Sequence, residues 1–187
     1  DALEFIPGAK GDYSNTSYVL LAEIVARVSG VSFAEYMQAH IFGPLGMVDS
    51  YITNESIPIE DGDALNFADK ETYHGIKMYT YGSMAQVSSA DDLNLFAQAV
   101  NNNDIVSEET LTLMLEPHSA LEGAGDYGYG FQVAHFFAHS GLWDSFNTLV
   151  IFYPEQQVEF IFLSNGGSLT DSHMSNIHRL VREFYSL

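Results

Sequence analysis

The sequence contains no cysteine, which excludes disulfide bonds and thiolate-bound zinc sites and leaves the redox compartment open. It also has little positive charge, because six lysines and arginines stand against 25 aspartates and glutamates, for a net charge of −19. So few cations cannot neutralise the phosphates of a polyanion, and we expect no nucleic-acid partner. The acidity itself is typical either of a highly soluble surface or of a protein that steers cationic ligands towards itself.

Long hydrophobic runs are absent as well. No apolar stretch reaches the roughly 18 residues that a membrane-spanning helix needs, so no membrane span is expected. The stretch DALEFIPGAKGDYSN at the start lacks the basic and apolar regions of a signal peptide and is similar to the interior of a domain. It therefore gives no information about the compartment.

The remaining composition is that of an ordinary globular chain. It has 187 residues, 47% of them hydrophobic, which suits one domain or two small lobes that share a core. A chain of this length can bury roughly 70% of its unfolded surface, so it needs no disulfide bond or metal to fold.

The first part of the chain has the patterns of helices. Residues 16–29 carry apolar side chains at helical spacing, and Gly30 follows as a C-terminal stop. The next segment, SFAE, has the capping-box pattern that begins a second helix. We expect this second helix to run to about Phe42 and to end before Pro44.

Residues 53–77 are polar and show no clear period, which predicts a long loop of the kind that often borders a site. Two further helices are expected behind serine caps, one after Ser89 and one from Ser107 to about Leu115. The aspartates that follow Ser89 lie at the start of a helix, where carboxylates interact favourably with the helix dipole, so we interpret them as structural.

The last third of the chain has the residue pattern of β-strands. Three aromatic and β-branched runs, YGYGFQVAHFFAHSG, SFNTLVIFYPE and VEFIFLSNG, are joined by short turn signals and predict an antiparallel meander. A terminal helix should lie on this sheet through apolar residues at helical spacing: Met174, Ile177, Val181 and Phe184. The predicted fold is therefore α+β, with a helical lobe over about 1–120 and an antiparallel sheet with its terminal helix over about 125–187.

Two residues near the start of the chain could do chemistry. Tyr13 and Asn15 stand on a turn directly before the first helical pattern, where a phenolic general base and an amide that holds a substrate would be neighbours. The free pKa of tyrosine is about 10, so Tyr13 can act as a base at neutral pH only if a cation lies close to it. The alternative is that Tyr13 is a wall residue and Asn15 caps the helix.

A second motif, HSG, ends an apolar strand at His139, Ser140 and Gly141. It can bring a hydroxyl, an imidazole and a backbone edge together, and Gly141 would allow a ligand to approach the chain closely. The alternative is a strand that simply runs into a turn. His135 shares a strand face with His139, but no third residue has metal-like spacing to this pair, so we expect no metal and no cofactor.

In combination these segments resemble the serine β-lactamase-related and penicillin-binding-protein-like family. That family includes class C β-lactamases, D-alanyl-D-alanine carboxypeptidases and esterases of the family VIII type. The matching pieces are the Y-x-N turn in PGAKGDYSN, the IFGPLGM block, GSMAQVSSADDLNLFAQAV, YGYGFQV, HSG and YPEQQVEFIFLSNG, which follow the family's order along the chain. The resemblance covers the C-terminal portion of the family's fold, without its N-terminal strands and nucleophile helix.

The resemblance implies a serine hydrolase that forms an acyl-enzyme, in which the serine of an S-x-x-K motif attacks an ester or amide carbonyl. Tyr13 matches the candidate base for that serine, and Asn15 matches the residue that orients the lysine and the substrate amide. His139, Ser140 and Gly141 match the family's K-T-G box.

Two residues beyond this box complete the expected substrate-binding set. The N–H of Leu142 would be an oxyanion donor. Trp143 would shape the rim of an acyl or aromatic pocket, or else take part in ordinary turn packing.

The nucleophile that this site requires is not in the sequence. No serine stands three residues before Lys10, Lys70 or Lys77. We therefore expect negligible acyl-transfer activity from this chain alone, and we expect a separate polypeptide to supply the missing N-terminal segment. Self-association through strand 157–164, which would otherwise be a hydrophobic sheet edge, is the other expectation.

The substrate class follows from the resemblance only in outline: a small-molecule ester, a lactam or a D-amino-acid peptide. Because His139 replaces the usual lysine and is mostly neutral above its pKa of about 6.5, the site leans towards peptidases and esterases. A non-catalytic module that binds a peptide or cell-wall fragment by strand addition is the alternative function. A product without native function is a third. The family also favours a periplasmic or extracellular location.

Overall fold

The structure, a computed structural model, describes residues 4–53, 64, 80–121, 125–143, 145–167 and 171–185. Helices and two short strands make up the first part of the described chain, and a six-stranded antiparallel sheet and a last helix follow. The predicted α+β class is therefore confirmed. Most of the predicted loop at 53–77 lies outside the described residues.

Helix α1, Asn15–Ser29, forms as its apolar spacing predicted and ends at Gly30, whose φ of 76° is left-handed. Its N-cap is Ser14, whose side chain accepts a hydrogen bond from the N–H of Ser17. The alternative role of Asn15 as the cap is therefore wrong. The serine before it already occupies the extended cap position, so Asn15 becomes the first helical residue.

The second helical stretch begins with the predicted capping box between Ser32 and Glu35. Its expected end before Pro44 is wrong, because α2 (Phe33–Met37) continues through a π-helical turn (Gln38–Phe42) into α3 (Gly43–Leu45). In the π-turn the N–H of Gly43 donates to the carbonyl of Gln38, five residues back. The proline then lies in the first turn of α3, where its missing N–H costs little.

Two short strands and two helices complete the helical region. Strands β1 (Tyr51–Ile52) and β2 (Gln86–Val87) pair antiparallel on either side of the predicted loop. Helix α4 (Ala90–Asn101) follows its predicted cap at Ser89, and α5 (Glu108–Leu115) follows Ser107.

The large sheet is a meander in which each strand pairs with its neighbours in the sequence. Its six strands are β3 (Ser119–Leu121), β4 (Gly125–Tyr127), β5 (Gln132–Val133), β6 (Phe137–Trp143), β7 (Phe146–Tyr153) and β8 (Val158–Ser164). The last three are the predicted hairpins and are the long ones. Among the described residues β8 pairs only with β7, so it forms an edge of this sheet.

The strands alternate between two apolar layers, as strand geometry requires. On one face Phe137 and Phe152 stack with ring centroids 4.6 Å apart and pack with residues of α4. On the other face Ala138, Ile151 and Tyr153 form a second cluster with side chains from β8. This alternation decides which residues of β6 share a surface with His139.

Helix α6, Asp171–Tyr185, is present, but its packing is only partly as predicted. Ile177 and Val181 are half-buried, whereas Phe184 is 81% exposed and contacts the ring of Tyr185 instead. The side chain of Met174 lies outside the described residues. Helical spacing identifies a face of a helix, but it does not say how much of that face other elements cover.

Helix α1 likewise exposes apolar surface. Ala22 is its only buried residue, and Leu20, Leu21, Ile24 and Val28 are each more than half exposed. Within the described ranges no single helix is long and apolar enough to cross a membrane. The pair Asn15–Ser29 and Phe33–Leu45 passes that criterion only jointly, across a bend of 78°.

Candidate active site

The chain brings Tyr13 to the sheet through a close approach at Gly11. A Cβ atom on Gly11 would lie 2.8 Å from the side chain of Ser119 and 2.9 Å from that of Leu121, so only glycine fits against β3 here. Two residues later Tyr13 lies beside β4, and the Ser14 cap then starts α1. The position of Tyr13 is therefore determined by a contact that is distant in the sequence.

Three aromatic side chains meet at this point, and we call them the aromatic triangle: Tyr13, Tyr127 and His139. The ring centroid of Tyr13 lies 6.3 Å from that of His139 and 6.1 Å from that of Tyr127. The rings of Tyr127 and His139 are 6.4 Å apart and nearly perpendicular, at 71°. The turn before α1 and the middle of β6, far apart in the sequence, thus share one surface.

The aromatic triangle is electrically neutral at pH 7. Burial, and secondarily the neighbouring Tyr18, raise the pKa of Tyr13 above its ordinary value. Burial also raises the pKa of Tyr127 strongly and lowers the pKa of His139, against which a hydrogen bond to the backbone of Ser140 acts only partly. All three groups therefore hold their neutral forms, and Tyr13 is not prepared to act as a base.

No lysine or arginine among the described residues offsets the raised pKa of Tyr13. Lys10 Nζ lies 4.7 Å from the centroid of a phenylalanine ring, and Arg27 and Arg179 each pair at 2.7 Å with a glutamate on their own helix. Arg182 on α6 interacts with a tyrosine at the end of β7. Within the described part of the chain, Tyr13 lacks the positive charge that would lower its pKa.

Strand β6 presents a half-paired backbone next to the triangle. Its pairing with β5 reaches only to Ala138, whereas its pairing with β7 continues through Trp143. Residues 139–143 therefore have a strand on one side only among the described elements. Ser140 and Leu142 are exposed and lie on the opposite strand face from His139, while Trp143, 37% exposed, shares its face.

Gly141 also makes a close contact within the sheet. A Cβ atom there would lie 2.5 Å from Oγ1 of Thr148, its cross-strand partner on β7. A side chain at position 141 would therefore displace the Thr148 hydroxyl, whether or not a ligand also approaches this glycine. Asn15 is exposed in the first turn of α1, two residues after Tyr13.

Tyr127 is the site residue that sequence reasoning missed. It is only 8% exposed, and its hydroxyl is the buried side-chain polar atom, among the described residues, that lacks a hydrogen-bond partner. A weak side-chain hydrogen-bond contact with Tyr18 contributes to the raised pKa of Tyr127, although the two hydroxyls do not meet the distance and angle of a full hydrogen bond. The only sequence feature that could have indicated Tyr127 is the YGYGF segment, and that segment is equally typical of a buried β-strand.

In the described ranges no group of three histidine, aspartate or glutamate side chains is arranged to hold a metal ion.

The chain is similar in sequence and fold to known proteins. The family profile described as Beta-lactamase matches residues 1–182. A penicillin-binding protein of Bacillus subtilis (strain 168) is 30% identical over an alignment 186 positions long, gaps included, which covers 86% of this chain and 41% of the relative. The chain thus spans about two fifths of the length of that curated relative.

Two solved structures share the fold. The penicillin-binding protein from Bacillus halodurans superposes with a TM-score of 0.81 at 22% identity, over 96% of this chain and 59% of that one. The D-amino acid amidase from Ochrobactrum anthropi SV3, solved with L-phenylalanine, gives a TM-score of 0.76 at 20% identity, over 95% and 58% of the two chains.

Proposed function

Because this chain belongs to the beta-lactamase family, a family of serine hydrolases, we propose that it carries the tyrosine and histidine side of an acyl-transfer site. The observation that carries the proposal is the 6.3 Å separation between the rings of Tyr13 and His139. It puts the residue that matches the family's base beside the strand that matches its substrate-binding box.

In the proposed reaction the lysine of the nucleophile-bearing segment, as a cation beside Tyr13, lowers the pKa of Tyr13, whose proton passes to solvent. The serine then attacks an ester or amide carbonyl while the Tyr13 phenolate takes the serine proton, which it later returns to the leaving group. Asn15 orients the substrate amide and the lysine that activates the site. The N–H of Leu142 stabilises the oxyanion, and Ser140 and Gly141 border the substrate along β6.

We propose that another segment supplies the serine and lysine, because no serine in this sequence stands three residues before a lysine. Two surfaces support a second polypeptide part beside this one. The apolar face of α1, with Leu20, Ile24 and Val28, is exposed, and β8 has a free edge among the described strands. We propose that the nucleophile-bearing segment, or otherwise a second copy of this chain, covers them.

The proposed substrates are small-molecule esters, lactams or D-amino-acid peptides. Burial keeps His139 neutral, so it would hold a substrate carboxylate less firmly than a lysine would. This favours ester and peptide substrates over the anionic lactams. A periplasmic or extracellular location is proposed with them.

Two proteins test the proposal: the chain alone, and the chain together with whatever coding sequence precedes it in its reading frame. Each is mixed with a chromogenic β-lactam and with a p-nitrophenyl ester, and acyl-enzyme is measured by burst amplitude and intact mass. We expect no burst from the chain alone and one acyl group per molecule from the longer protein. Tyr13→Phe in the longer protein should slow acylation by about 10²- to 10⁴-fold.

Tyr129→Phe is the matched control, because Tyr129 is exposed and lies outside the aromatic triangle. A stoichiometric burst from the chain alone would refute the need for an external nucleophile. Equal acylation rates for Tyr13→Phe and Tyr129→Phe would refute the role of Tyr13.

The half-paired strand β6 favours one other function, a non-catalytic binding module. A peptide or cell-wall fragment could add as a strand beside residues 139–143, where described pairing exists on one side only. A preceding coding sequence without S-x-x-K, together with peptide binding by the chain alone, would support this function over the first.

A further inference from the structure

The buried hydroxyl of Tyr127 is not used by the reaction described above. It belongs to a residue that is 8% exposed, on β4, and beyond a weak contact with Tyr18 it has no hydrogen-bond partner of full geometry among the described residues. A buried hydroxyl without a partner is unfavourable, and folded proteins contain few of them. Such a group is most easily explained if it gains a partner in another state of the molecule.

The neighbours of Tyr127 indicate which state that is. Its ring meets the ring of Tyr13 edge to face, at 6.1 Å and 82°, and the ring of His139 at 6.4 Å. Gly11 fixes the approach of the Tyr13 segment to β3, and Tyr127 is the β4 residue that pairs with Ser119 on that strand. The two tyrosines are thus held together by the same piece of backbone.

We propose that Tyr127 is a positioning residue for Tyr13. Its ring holds the Tyr13 ring in place, and its hydroxyl donates a hydrogen bond to the Tyr13 oxygen once Tyr13 has lost its proton. This inference rests on the proposed function of Tyr13 as a base. The proton of Tyr127 does not leave in this step, and only the hydrogen bond forms.

The directions of the pKa shifts are consistent with Tyr127 keeping its proton while Tyr13 loses its own. Burial, Tyr18 and Tyr13 all raise the pKa of Tyr127, so its hydroxyl remains a donor under conditions in which Tyr13 ionises. Among the residues that the structure describes, the titratable groups that face Tyr13 are Tyr18 from α1, Tyr127 from β4 and His139 from β6. Among these, Tyr18 raises the pKa of Tyr13, so it opposes the ionised form that Tyr127 would stabilise.

The test uses the full chain with difluorotyrosine at position 13, whose electron-withdrawing fluorines make the phenol more acidic. Fluorine NMR across a pH series then reports the ionisation of that one ring. Tyr127→Phe should raise the pKa of the labelled phenol by about one pH unit, because a hydrogen bond to a charged group is lost. Tyr18→Phe, the control on the neighbouring hydroxyl, should lower it.

Circular dichroism over the same pH range checks that each variant is folded, and Tyr127→Met removes the same hydroxyl if Tyr127→Phe does not fold. A folded Tyr127 variant that leaves the pKa at position 13 unchanged, or lowers it, would overturn the inference. The titration needs no enzymatic activity. If the longer protein is not acylated but Tyr127→Phe raises the pKa at position 13, only the proposed function is overturned. If the longer protein is acylated but Tyr127→Phe leaves that pKa unchanged, only this inference is overturned.

Discussion

Replacing Asp92 by alanine should destabilise the protein far more than replacing its neighbour Asp91. Asp92 lies in the first turn of α4 and is 3% exposed. One of its carboxylate oxygens accepts hydrogen bonds from the N–H of Asp49 at 2.8 Å and from the hydroxyl of Ser50 at 2.7 Å. It therefore connects α4 to the segment between α3 and β1.

The magnitude follows from these two bonds. A hydrogen bond to a charged group contributes about 1.5–3 kcal/mol, and Asp92→Ala also leaves a buried donor on Ser50 without this acceptor. We expect a loss of about 3–5 kcal/mol in the free energy of unfolding. Asp92→Asn keeps an oxygen acceptor without its charge and should lose less than Asp92→Ala. Asp91→Ala removes only an exposed charge near the helix N-terminus, about 0.3–1 kcal/mol.

Urea unfolding of the three variants, followed by circular dichroism, measures the differences. The expected order of stability is Asp91→Ala, then Asp92→Asn, then Asp92→Ala. If Asp92→Ala and Asp91→Ala unfold within about 0.5 kcal/mol of each other, the buried carboxylate is not the connection described here.

Three other substitutions test separate parts of the structure. Burial depresses the pKa of His139, so its native neutral form stabilises the fold above the unfolded pKa of about 6.5, and this contribution is lost as the pH falls through the folded value. His139→Phe should therefore weaken the loss of stability on acidification below that pH, measured by urea midpoints; an unchanged loss would contradict the burial effect. Gly11→Ala should lower the free energy of unfolding by about 1–3 kcal/mol, because the added methyl group overpacks against β3. It should also shift the ring signals of the aromatic triangle in NMR spectra. Unchanged stability and spectra would contradict the close approach of Gly11 to β3. Leu163→Lys on the edge strand β8 should reduce any concentration-dependent association of the chain, measured by sedimentation. Leu113→Lys, at an exposed leucine on α5, should not reduce it. Equal effects of the two substitutions would contradict self-association through β8.

Local patterns predicted the helices well because their causes are local. The serine caps, the capping box at Ser32 and the left-handed Gly30 all act within a few residues, so the sequence shows them directly. The continuation through Pro44 was missed because a π-turn changes which carbonyl each N–H reaches, and no residue type signals that change. Strands β1 and β2 were missed because each has only two residues, too few for a period to appear.

Sequence motifs predicted only those residues of the candidate site that lie within the motifs. Tyr13 and His139 came from motif resemblance, and the structure brings their rings together. Tyr127 and the reason for Gly11 depend on contacts between segments more than a hundred residues apart, which spacing cannot reveal. The aspartates after Ser89 were interpreted through the helix dipole alone, whereas Asp92 also bonds a segment 43 residues earlier.

The most direct test of this account is whether Tyr13 and His139 share one surface in solution. With both rings assigned, nuclear Overhauser spectra of the folded chain should show cross-peaks between the ring protons of Tyr13 and the imidazole protons of His139, because their centroids lie 6.3 Å apart. Cross-peaks from Tyr127 to both rings should accompany them. A folded protein in which all three rings are assigned and Tyr13 shows no cross-peak to His139 would contradict the shared site and the acyl-transfer function proposed from it.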